Sequence, residues 1–193
     1  MVDIKVADVE LECETKADLF SPKGLDQGTA LLLRELARQD YDTALDWGCG
    51  WGAIGLFLAA QKPKSRVWAV DANVGAAKIA RANAEHNNLT NLTVLASDSF
   101  GELADEQTFD LIAANPPTHQ GRNIVDTMIA DSFDRLRDDG RLMIVVEARL
   151  KPWVARDLEA TFGNHKILRR GPKNVVLLAI KDTKTPIATT KPV

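Results

Sequence analysis

The stretch Ala44–Gly55, ALDWGCGWGAIG, decides how the rest of the chain is read. A short apolar run ends at an acid, Asp46, and glycines follow at positions 48, 50, 52 and 55. Ile54, Leu56, Phe57 and Leu58 then begin a helical apolar pattern. This order predicts a strand, a tight glycine turn and a helix. Glycine adopts backbone conformations closed to other residues and lets a ligand approach the main chain. The helix start adds N–H groups with no partner of their own. Four glycines behind an acid exceed what a bare turn needs, so a nucleotide-like ligand is expected.

Two cofactors compete for this turn. Gly50, Gly52 and Gly55 fit Gly-x-Gly-x-x-Gly, and Asp71 lies nineteen residues past Gly52, about where a dinucleotide fold wants its ribose acid. Asp46 argues the other way. A pyrophosphate would meet a like charge there, whereas S-adenosylmethionine (SAM), a sulfonium with an ammonium group, would meet an opposite one. An NAD-dependent oxidoreductase stands as the alternative from a different class, although no hydride-transfer residues stand out.

Upstream, residues 2–13 alternate, with Ile4, Val6, Val9, Leu11 and Cys13 set against Glu10, Glu12 and Glu14. Period-two patterning predicts a hairpin with one wet face. Phe20–Gly28, FSPKGLDQG, reads as a loop. Asp26 or Thr29 can cap a helix over about 29–39, with Leu32, Leu33 and Leu36 facing inward. Downstream, strands are predicted at 43–46, 66–70, 92–96, 109–113 and 141–146. Helices are predicted near 52–61, 73–87, 122–137 and 152–162, and two last strands near 165–169 and 174–180. This alternation predicts an α/β fold with a doubly wound, mostly parallel, seven-stranded Rossmann-like sheet, preceded by the hairpin. The short turn at Gly171-Pro172 forces the last two strands to be antiparallel, since parallel strands need a crossover. One domain is expected over 1–181, with 1–28 as hairpin and loop, and a flexible Thr- and Pro-rich tail over 182–193.

A composition of 45% apolar and 26% charged residues is that of an ordinary soluble globular chain. No apolar run approaches the roughly 18 residues of a membrane span, and MVDIKVADVE lacks the features of a signal peptide. A cytoplasmic location and no membrane partner are expected. Cys13 and Cys49 form no CxxC and no Cys/His cluster, which excludes a disulfide framework and a zinc site and leaves no metal expected. The net charge of −3 hides an asymmetry. Residues 1–140 carry 13 Lys+Arg against 23 Asp+Glu, and residues 141–193 carry 11 against 4. Such a basic flank, Arg169, Arg170 and Lys173 included, can guide a polyanion to the site; solvated surface charge is the plainer reading.

Ligands in such sheets bind outside the carboxyl ends of the strands. Four predicted ends carry polar or turn residues: Asp46 with its glycines, Asp71, Asp98 with Ser99, and Asn115 with Pro116-Pro117. For SAM, Asp71 would take both ribose hydroxyls, with Ala72 beside it. Asp98 would accept from the adenine amine, with Ser99 or Phe100 lining the base. Gly48 and Gly50 would let the methionine moiety pass. The prolines fix φ and remove donors, leaving carbonyl acceptors in a rigid turn to which Asn115 adds its own. Two fixed acceptors suit an NH2 group. They would hold both N–H groups of a conjugated amine and aim its lone pair at a methyl donor.

Asn-Pro-Pro after the fourth core strand, with DWGCGWG, VDAN and SDSF upstream, resembles the class I methyltransferases that modify planar amino groups. FSPKGLDQGTALLL, NPPTHQG and TFGNHKILRRGPKNVVLLA resemble more narrowly the catalytic domain of ribosomal RNA small-subunit methyltransferase C and its single-domain relatives, over roughly residues 18–181. The resemblance implies SAM as cofactor, RNA or the small ribosomal subunit as partner, and guanine N2 as target. It implies that Asn115 and the Pro116 carbonyl hold the guanine amine, and that Asp46, Asp71 and Asp98 hold SAM. Adenine-N6 or another RNA or protein amine is the alternative within the class; an inactive RNA-binding module with the same fold is another reading. Many members have an aromatic after Pro-Pro where this chain has Thr118, so stacking on the base would fall to Phe20 or Trp51. His119 matches NPPxH and would orient the loop, touch RNA or be a buried structural residue. RNA selection would fall to the basic C-terminal third, the hairpin or a second subunit, with monomer and homodimer both open.

Overall fold

The structure, a computed structural model, describes residues 1–17, 19, 21–117 and 121–182. Strands β1 (Val2–Val6) and β2 (Val9–Cys13) pair antiparallel around a turn at Ala7, whose φ is 50°. Ile4, Val9, Leu11 and Cys13 are buried and the glutamates between them exposed, as the alternation predicts. Helix α1 (Gln27–Leu36) starts two residues earlier than expected. Asp26 rather than Thr29 is its cap, accepting from the Gly28 and Thr29 amides at 2.7 and 3.0 Å.

The chain then runs β3 (Thr43–Trp47), α2 (Ala53–Gln61), β4 (Arg66–Asp71), α3 (Val74–His86), β5 (Leu92–Ala96) and β6 (Phe109–Ala114). It continues through α4 (Arg122–Arg135), β7 (Leu136–Glu147), α5 (Lys151–Phe162), β8 (Lys166–Arg170) and β9 (Asn174–Ile180). Seven strands form one sheet in the order β5-β4-β3-β6-β7-β9-β8. Pairing is parallel from β5 to β7 and antiparallel on both sides of β9.

Alternate strand residues feed two cores. Leu111, Ala113, Met143, Val145 and Val176 join Leu32, Leu33, Leu36, Phe57 and the hairpin on one face. Leu45, Ile112, Ile144, Val175 and Leu177 join Val125, Ile129, Val154 and Leu158 of α4 and α5 on the other. Strands apolar on both faces are what a sheet covered on both sides requires. β7 departs from expectation: pairing begins at Leu136 opposite Phe109, and the register then jumps to Arg141 opposite Leu111. Asp139 at φ 62° and the mutual bonds of residues 139–140 with Lys181 close this irregular entry.

Strand order reverses between β3 and β6: β4 and β5 lie beyond one, β7 and β9 beyond the other. The carboxyl ends of β3 to β7 therefore share one edge with Asn174 at the start of antiparallel β9. Such a switch point opens a crevice for ligands.

Candidate active site

A cavity of about 950 Å³ opens along that edge. Gly48, Gly50, Asp71, Ala72, Ser97, Asp98 and Ser99 line it from the β3–β5 side. Asn115, Pro116, Pro117, Glu147 and Asn174 line it from the β6–β9 side, with Asp26 and Thr29 from the start of α1. The volume lies near the top of the roughly 300–1,000 Å³ range of ligand pockets, enough for a cofactor and part of a second substrate.

The glycine turn is tied to the end of β4. The Gly48 and Cys49 amides each donate to the Val70 carbonyl at 2.9 Å, and the Gly50 amide donates to Asp71 Oδ2 at 2.8 Å. Gly48 (φ 76°) and Gly50 (φ 56°) have left-handed backbones, and no atom lies within 4 Å of where a Cβ would stand. That leaves open main chain on the cavity wall. Asp71 Oδ1 accepts from the Asn73 amide at 2.8 Å, and Asn73 itself caps α3. Asp71 thus braces the turn, and each oxygen keeps a lone pair for hydroxyl donors.

Asp46 lies behind the glycine turn. It is fully buried, does not line the cavity, and accepts from the Gly55 amide at 2.8 Å through Oδ2. Its Oδ1 is buried with no partner among the described residues. Burial first, with the Asp71 charge adding and the Gly55 bond opposing, pushes its pKa up to about 7. Asp46 supports the glycine turn from behind through the Gly55 amide. Burial and the neighbouring acids also push the Cys49 thiol well above its ordinary value, the reverse of what a nucleophile needs. Phe100 is corrected: it packs on Trp47 at 4.7 Å in the core, and Ser99 is the residue that lines the cavity. Ser99 holds φ 57° and its hydroxyl donates to Asp131 at 2.9 Å. Asp98 beside it is exposed.

On the acceptor side, Asn115 Nδ2 donates to Asp26 Oδ2 at 3.0 Å and to Thr29 Oγ1 at 2.9 Å. Pro116 is buried and Pro117 half-buried behind it. Asn123, Ile124, Thr127 and Met128 of α4 complete the wall. No cluster of potential metal ligands occurs among the described residues.

Residues 10–178 match the family model of the methyltransferase small domain. The chain belongs to this family. It is 34% identical over 177 residues to the ribosomal RNA small subunit methyltransferase C of Erwinia tasmaniensis, covering 89% of this chain and 50% of that protein. It is 33% identical over 199 residues to the ribosomal RNA large subunit methyltransferase G of Shewanella loihica, covering 97% and 49%. A 16S rRNA N2 methyltransferase from T. thermophilus, solved in complex with AdoMet and guanosine, superposes with a TM-score of 0.84 at 27% identity, covering 93% of this chain and 49% of that one. The chain spans about half the length of each.

In this methyltransferase domain several expected contacts fall elsewhere. Arg169 pairs with the buried carboxylate of Glu35, which Arg38 also reaches at 3.0 Å. A buried carboxylate left alone is costly, and Arg169 helps to neutralise this one across the β8–α1 contact. Arg170, at the end of β8, and Lys173, just before Asn174, are exposed. Trp51 borders the cavity but is 3% exposed and belongs to the core beneath the hairpin, so it is no open stacking platform. Phe20, Thr118 and His119 lie outside the described residues, as does the expected tail beyond residue 182. No helix among the described residues is long and apolar enough to cross a membrane. Three contributors had no sequence signal: Glu147 and Asn174 on the wall, and buried Asn83. The Asn83 amide ties the hairpin end to the glycine turn through the Glu14 carbonyl and the Trp51 carbonyl, both at 2.9 Å.

Proposed function

We propose that this chain is a cytoplasmic SAM-dependent methyltransferase acting on an exocyclic amine of RNA, with guanine N2 in small-subunit ribosomal RNA as the target. One observation carries the reading: the Asn115 amide, at a Pro-Pro turn, shares one cavity with a glycine turn braced by Asp71. The donor set fits SAM, since open glycine backbone and a carboxylate with free lone pairs match a methionine moiety and a ribose. Bound there, SAM supplies an electrophilic methyl on its sulfonium. The chain does the rest. Asp71 accepts from the ribose hydroxyls and Asp98 from the adenine amine. Asn115 Oδ1 and the Pro116 carbonyl take the two N–H groups of the target amine, favour the pyramidal nitrogen and aim its lone pair. No general base is needed before transfer, because the proton leaves after the nitrogen becomes cationic.

The test is transfer of tritium from labelled SAM to separate small- and large-subunit RNA pools, followed by nucleoside analysis. Label in N2-methylguanosine from the small-subunit pool is expected. Label only in N6-methyladenosine would move the target to adenine. Calorimetry with S-adenosylhomocysteine (SAH) checks the cofactor: Asp71→Ala should cost on the order of 2–3 kcal/mol of affinity. Tight NAD binding without SAH binding would overturn the reading.

Arg170 and Lys173 are the exposed cations expected to meet RNA backbone. Neutralising both should reduce the slope of log K against log salt by roughly 1.4–1.8, as two released counterions require. SAH affinity should hold. An unchanged slope would return the pair to solvated surface.

A further inference from the structure

Resting on that reading, we propose that Asp26 and Thr29 are positioning residues for Asn115: they fix which way its amide faces and strengthen the Oδ1 acceptor offered to the target amine. Asn115 Nδ2 donates to Asp26 Oδ2 at 3.0 Å and to Thr29 Oγ1 at 2.9 Å, two acceptors that the Thr29 hydroxyl's own bond to Asp26 holds side by side. A carboxamide has one donor end and one acceptor end. Reversed, it would set Oδ1 against the Asp26 carboxylate, so the carboxylate decides the orientation. Oδ1 is then turned away from α1, and among the described residues no donor reaches it. The site presents an acceptor to whatever enters, which selects an N–H donor over a keto oxygen.

The cap is held rigidly. Asp26 Oδ1 accepts from the Gly28 amide at 2.7 Å, and Oδ2 accepts from the Thr29 amide at 3.0 Å and from the Thr29 hydroxyl. A Cβ at Gly28 would stand 3.0 Å from Asn174 Nδ2 and 3.1 Å from Asp26 Oδ1, so a side chain there would have to shift a neighbour. An ordinary N-cap serves only the N2 or N3 amide of its own helix. Here the same carboxylate also reaches a residue 89 positions away at the tip of β6. A hydrogen bond from an amide to a carboxylate is charge-assisted and draws electron density toward the carbonyl oxygen. During methyl transfer the amine nitrogen becomes cationic before it releases a proton. An acceptor strengthened in advance binds that transition state better than the neutral amine.

The test uses the full chain with Asp26→Asn, Thr29→Val and Thr29→Ser, each first checked for wild-type melting. Asparagine caps helices as well as aspartate does, so a purely structural role for Asp26 leaves activity in place. The proposal expects Asp26→Asn and Thr29→Val to lower the single-turnover methylation rate by roughly ten- to a hundredfold, as loss of a charge-assisted bond implies. RNA and SAH affinities stay constant, and Thr29→Ser recovers most of the rate lost in Thr29→Val. A second readout needs no RNA. The Asn115 side-chain NH2 signals, assigned by their loss in Asn115→Ala, should exchange with solvent more slowly than those of exposed asparagines, and faster in Asp26→Asn and Thr29→Val. Equal rates for Asp26→Asn and wild type, or an Asn115 NH2 that exchanges like a surface amide, would overturn the proposal. If wild type methylates no RNA, the proposed substrate is wrong, and the exchange measurement alone still decides whether the clamp exists.

Discussion

Asn115→Ala is expected to slow single-turnover methyl transfer by roughly a hundred- to thousandfold, about 2.7–4 kcal/mol, the usual cost of removing one donor or acceptor aimed at a transition state. The amide lines the cavity at the β6 tip, with its NH2 end committed to Asp26 and Thr29. Truncation removes an acceptor that matters most as the nitrogen pyramidalises, so the loss belongs in the chemical step. SAH affinity should change little, because the glycine turn and Asp71 are held by bonds to β4 and α3 that do not involve Asn115. Asn115→Asp is the sharper control. It keeps size and acceptor but sets a second carboxylate against Asp26, at the 3.0 Å now spanned by an N–H donor. Two carboxylates that close share a proton, so the variant should gain a pH-dependent rate that wild type lacks. Near wild-type methylation by Asn115→Ala would reduce the Asn-Pro-Pro segment to a structural turn.

The parts of this site that were legible in the sequence are those fixed by neighbours along the chain. The Ala44–Gly55 stretch encodes its own strand, turn and helix, and Asn73 its own cap. The direction in which a strand-end acid points is different, because it depends on the pleat and on what covers each face. Asp46 shares the face of Ala44, under α2, so it meets the Gly55 amide. Arg169 and Glu35 are 134 residues apart, and only the placement of β8 against α1 shows that they pair. Asp26 shows both cases at once. Its capping role is local and was readable; its bond to Asn115 exists only because the start of α1 lies beside the tip of β6. The irregular entry to β7 was hidden for a similar reason, since Lys181, just past the end of β9, closes it.

Asp46→Asn is expected to remove a pH dependence of stability worth up to roughly 4 kcal/mol, about three pKa units at 1.36 kcal/mol each. The carboxyl is fully buried, one oxygen has no partner among the described residues, and its pKa is pushed up to about 7. An unfolded aspartate titrates near about 3.9. Between those values the folded chain keeps a proton that the unfolded chain has lost. The stabilisation is therefore complete below about pH 4 and fades as pH rises toward 7. Asparagine keeps the shape and an acceptor for the Gly55 amide, and it places no charge beside Asp71. Wild type and variant should have similar unfolding free energies near pH 4 and diverge as pH rises, with the variant the more stable at pH 8. Urea denaturation of both chains from pH 4 to 8 measures the difference directly, because every other titrating group is common to the two and cancels. Parallel curves across that range would mean that Asp46 is already ionised in the folded chain, and that the desolvation argument for its place behind the glycine turn is wrong.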